Sequence, residues 1–148
     1  MRSNSIEKHN SLVNSARLLA TFCDVNKFEG VDILHGLKVS KIIHLYEQSA
    51  DGNWLWGMLE AMCGKINREK LNVFLPAIFL LNIQYNFQED RREEMMLQCN
   101  EQFLRNCILC SKKCYGAIGL ARYLSIRLAK KLFSVIEENC KCVWEGKK

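Results

Sequence analysis

Proline is almost missing from this chain: one residue in 148, Pro76, accompanied by only eight glycines. Turn-rich all-β folds use more of both, so the scarcity excludes them and predicts an all-α protein. Long hydrophobic runs are also lacking. The longest, residues 73–81, falls well short of the roughly 18 residues a membrane span needs. The first ten residues are polar and the last are charged, so neither a signal peptide nor a membrane anchor is expected. Charge of one sign is not in great excess either. Against 21 Lys and Arg stand 16 Asp and Glu, a formal +5 with the two signs interleaved, which favours solubility and implies no nucleic-acid partner.

Catalytic patterns are absent too. His9, His35 and His44 are the only histidines, and none lies in a zinc-protease or triad motif. Gly116 and Gly119 lack the remainder of a phosphate-binding loop, and no Gly-x-Ser-x-Gly elbow occurs. The chain therefore reads as a non-enzyme with no cofactor.

What is present is an ordinary globular composition, 49% apolar and 25% charged. Its length suits one domain over residues 1–148, able to bury about 70% of its unfolded surface. Eight cysteines without a leader read as thiols of a reducing compartment, and so as a cytoplasmic protein. Cys107, Cys110 and Cys114 with Cys140 and Cys142 could supply soft zinc ligands. At helical spacing, 107, 110 and 114 equally describe one buried face of thiols, the reading preferred here, with no metal.

The apolar periodicity divides the chain into helices. The first spans residues 5–23. The second, 31–48, is divided by Gly36, and residues 49–53 form the clearest turn, from which Asp51 or Asn53 can cap the next helix. That helix, 54–63, carries Leu55, Met58 and Leu59. Residues 73–87 are apolar on nearly every side, which places them at the centre of the domain. Pro76 suits a helical first turn, so the regular part begins near it. A helix follows over 89–110. Over 120–136, Leu120, Tyr123, Leu124, Leu128, Leu132, Val135 and Ile136 form one apolar face. Arg122, Arg127, Lys130 and Lys131 lie largely off that face and read as a solvated surface, not as a membrane or RNA contact. The sketch is six or seven helices around a hydrophobic central one.

One stretch is more specific. Val39 to Trp54, with Glu47, Asp51, Gly52, Asn53 and Trp54 in order, resembles the first homology motif of the Bcl-2 family of apoptosis regulators. There an amphipathic helix runs into Asp-Gly, and Asn-Trp opens a hydrophobic hairpin. Leu19 to Asp24 is similar to the family's third motif, although the first 23 residues could equally be its opening helix. The resemblance departs from the family where Leu55-Trp56 replaces the Gly-Arg that follows Asn-Trp. The second motif is reduced to Trp144-Glu145-Gly146, and the family's hydrophobic tail is missing. Short, tail-less members are typical of viral versions.

The resemblance implies a Bcl-2-like bundle of six to eight helices around a hydrophobic central helix. It also implies a groove that sequesters pro-apoptotic family members by their helical death motif, with Ile43, His44 and Glu47 on its wall, Asp51 at its corner, and Asn53, Leu55 and Met58 on its floor. An empty apolar groove is a surface that a second copy covers, so a homodimer belongs to this expectation. The alternatives are a death-fold type adaptor, which lacks a helix buried on all sides, and a helical zinc-binding regulatory protein.

Overall fold

The structure is a computed structural model that describes residues 27–38, 40–42, 44, 54–62 and 68–145. Among them no strand occurs. After a 3-10 turn at Val31–Gly36 come α1 (Trp54–Met62), α2 (Arg68–Asn72), α3 (Leu75–Phe87), α4 (Glu93–Tyr115), α5 (Leu120–Asn139) and α6 (Lys141–Glu145). The predicted helix at 5–23 and the turn at 49–53 lie outside the described residues.

α3 is the centre. Every residue from Pro76 to Tyr85 is buried, as an all-round apolar helix requires. Val73 and Phe74 form a turn, and Pro76 sits in the first turn of the helix, where its missing N–H breaks no intrahelical bond. α4 packs against α3, α5 against α4, and α1 against both α3 and α5.

α4 starts and ends a few residues later than the sequence pattern indicates. It opens on Glu93 and Glu94 and closes on Lys112 and Lys113, so its charges complement the helix dipole at both ends. The second predicted helix divides at Gly36 as expected, but its first part is a 3-10 turn; Leu37 is extended, and helical residues resume at 40. Ile42 is buried in the core there, and the Lys41 ammonium lies 5.8 Å from the Phe87 ring centroid.

On α5 the expected apolar face holds at Leu128, Leu132, Val135 and Ile136 and is corrected at the N-terminal end. Leu120, Tyr123 and Leu124 are exposed, while Ser125, Ala129, Leu132 and Ile136 are buried. These four positions also form a helical stripe, rotated by about 150° from Leu120, Tyr123 and Leu124. Small residues decide the rotation. The Ser125 hydroxyl meets that of Ser111 on α4 and also lies 2.9 Å from the Arg122 carbonyl oxygen, so a polar pair satisfies itself where the two helices approach.

Candidate functional site

α1 is short, and its two sides differ. Leu55 and Leu59, one turn apart, have no exposed surface and belong to the core. Met58 is half-buried against that core, and Gly57 and Ala61 are exposed. A Cβ placed on Gly57 would meet no heavy atom within 4 Å. Glycine inside a helix costs about 0.5–1 kcal/mol relative to alanine, and packing within this chain does not call for it here. Among the described side chains of α1, the exposed ones are small and Met58 is the half-buried apolar one.

Of the residues expected at the site, Leu55 and Met58 share α1. His44 is exposed in the separate helical stretch that begins at residue 40. Ile43, Glu47, Asp51 and Asn53 fall outside the described residues.

A buried polar seam runs along the α3–α4 contact. The Tyr85 hydroxyl donates to Asn100 Oδ1 at 2.8 Å, and Gln84 Nε2 donates to Gln102 Oε1 at 2.7 Å. Asn106 closes a reciprocal pair with the Glu29 backbone: its Oδ1 accepts the Glu29 N–H at 2.8 Å, and its Nδ2 donates to the Glu29 carbonyl at 3.0 Å. Gly30 adopts φ +77°, and a Cβ there would collide with Gln84 Nε2 and stand 2.8 Å from Gln102 Oε1. Only glycine fits this turn over the glutamine pair. Burial, with the neighbouring Cys140 next in effect, pushes the Tyr85 hydroxyl far above its ordinary range, so it stays a donor.

Trp144 belongs to the same construction. It is almost fully buried, its indole N–H donates to the Arg91 carbonyl at 3.0 Å, and the Arg91 guanidinium lies 4.5 Å from its ring centroid. Arg91 in turn donates to the Tyr85 carbonyl at 2.7 Å. Neither the seam nor the role of Trp144 was evident from periodicity. The polar Asn82 and Gln84 inside an otherwise apolar run were the available sign of it.

The thiols divide along α4: Cys107 and Cys110 are buried, whereas Cys114 is exposed. Burial pushes Cys99 up to about 11 and Cys110 and Cys140 up to about 12, and drives Cys107 well above its usual value. These buried thiols are poor nucleophiles at neutral pH. Among the described residues no three of His, Cys, Asp and Glu gather as a metal ion would require, and no described helix is long and apolar enough to cross a membrane.

No protein-family model matches the chain, and no curated protein or solved structure matches it either.

Proposed function

We propose that the protein is an inhibitor of apoptosis of the Bcl-2 type, of viral origin, acting in the host-cell cytosol. On this reading it holds the amphipathic death-motif helix of pro-apoptotic Bcl-2 family proteins in a hydrophobic groove beside α1 and works by sequestration, without catalysis. The observation that carries the reading is the register of α1. Its first helical residue is Trp54, directly after Asp51-Gly52-Asn53, and it runs beside a helix buried on every side. A death-fold adaptor has no such central helix.

The outer face of α1 adds physical support. Gly57 and Ala61 let a second backbone approach closely, and Met58 adapts its shape to different apolar anchors. Leu55 and Leu59 hold that face rigid from beneath. Helix-in-groove affinity rests on a few apolar anchors, so replacement of the family's arginine by the Leu55-Trp56 pair narrows the set of ligands without removing binding.

Calorimetric titration of the purified chain with a panel of death-motif helix peptides tests the proposal. Saturable binding of at least one peptide is expected. No binding of any peptide at high micromolar concentration would remove the function and leave the fold intact.

A further inference from the structure

The corner between α4 and α5 is the most exposed apolar feature among the described residues. Ile118 is 87% exposed, Leu120 73%, Tyr123 59%, Leu124 50% and Tyr115 39%. Soluble proteins rarely leave so many large apolar side chains together in water without a use for them. The corner also protrudes. Gly116 and Gly119 turn the chain with φ +80° and +118°, and a Cβ on either would meet no heavy atom within 4 Å.

The charge around the tip is of one sign. Between residues 102 and 136 the sequence carries seven Lys and Arg and no Asp or Glu. Lys112 and Lys113 are exposed at the end of α4, and Arg127 stands over the Tyr123 ring at 6.0 Å. The Arg122 guanidinium donates to the Gly116 carbonyl at 2.7 Å and braces the corner. Among the described residues no carboxylate forms an ion pair with any of these four cations.

We propose that this corner is a peripheral docking surface for anionic phospholipid bilayers: Ile118, Leu120 and Leu124 enter the interface, Tyr115 and Tyr123 sit at headgroup level, and Lys112, Lys113 and Arg127 meet the lipid phosphates and carboxylates. Each component follows from known behaviour. Aromatic residues with a polar tip favour the membrane–water boundary, and basic residues near an anionic leaflet are attracted over a Debye length. An apolar tip with a basic rim lies on a membrane without spanning it. The proposal does not depend on the peptide-binding reading.

The test is flotation of the full chain with vesicles of phosphatidylcholine alone and with vesicles in which about a third is phosphatidylserine. At least a tenfold preference for the anionic vesicles is expected, lost in about 0.5 M salt as charges are screened. Ile118→Glu and, separately, the pair Lys112→Glu/Lys113→Glu should each lower partition at least tenfold. Their circular-dichroism melts should be unchanged, since these side chains are exposed. Equal, weak partition onto both vesicle types would overturn the proposal. So would loss of partition in the lysine pair with none in Ile118→Glu, which describes a general polyanion surface of the kind RNA binds. A dimer in light scattering that Ile118→Glu dissociates would also overturn it, because a second copy would then cover the tip.

Discussion

The indole of Trp144 stands edge-on to the ring of Tyr85, with 5.0 Å between centroids and 73° between planes. This contact fastens the short last helix to the central one. The Tyr85 hydroxyl continues the link to Asn100 on α4, so one aromatic pair joins three helices.

Trp144→Ala should therefore cost about 3–5 kcal/mol, the usual range for emptying a buried aromatic site. Tyr85→Phe removes only the hydroxyl and strands Asn100 Oδ1, at a cost of about 1–3 kcal/mol. Tyr85→Ala removes the ring as well, and because the two rings touch, Trp144→Ala combined with Tyr85→Ala should deviate from additivity in urea melts. Strict additivity would mean that the contact contributes nothing.

Stability should fall at alkaline pH. Cys99, Cys110, Cys140 and Cys107 are held protonated in the folded state above their ordinary value of 9.0. Below about pH 9 both states keep these protons, and the stabilisation is fully present. Above it the unfolded chain ionises first. Stability then declines up to about pH 12, at as much as about 1.4 kcal/mol per pH unit for each group. Urea midpoints measured across that window should drop steadily. A flat profile would contradict burial of the thiols.

The all-helical class and the central helix were legible in the sequence because nine apolar residues over 73–83 leave no polar side to expose. A helix over Trp54–Met62 was legible from its apolar spacing. The face of α5 was legible in its C-terminal half, where Leu132, Val135 and Ile136 are buried, but not in its N-terminal half. Periodicity weights large side chains, and it chose Leu120, Tyr123 and Leu124 over Ser125 and Ala129. The serine pair and close helix packing are tertiary facts that a single-chain pattern does not contain. Of the residues expected on a groove floor, Leu55 has no exposed surface and Met58 is half-buried, and which of them points outward depends on where α3 and α5 lie.

That corrected face has a direct consequence. Leu124→Ser and Tyr123→Ser should change stability by no more than about 0.5 kcal/mol, as exposed positions do. Leu132→Ala, on the buried stripe, should cost about 2–5 kcal/mol. Equal losses at Leu124 and Leu132 would restore the larger residues to the core.

Gly57→Ala separates stability from binding. The added methyl meets open space, so the helix should gain about 0.5–1 kcal/mol. The same methyl would keep a docked helix from close approach, and peptide affinity should fall. A variant both more stable and equally tight in binding would show that α1 faces no ligand.

The central claim, a helix-binding face on α1, is tested most directly by amide chemical shifts of isotope-labelled protein during titration with a death-motif peptide. The account predicts progressive shifts at Gly57, Met58 and Ala61, with Ile118 and Leu120 unmoved. Shifts confined to the α4–α5 corner, or none anywhere through high micromolar peptide, would contradict it.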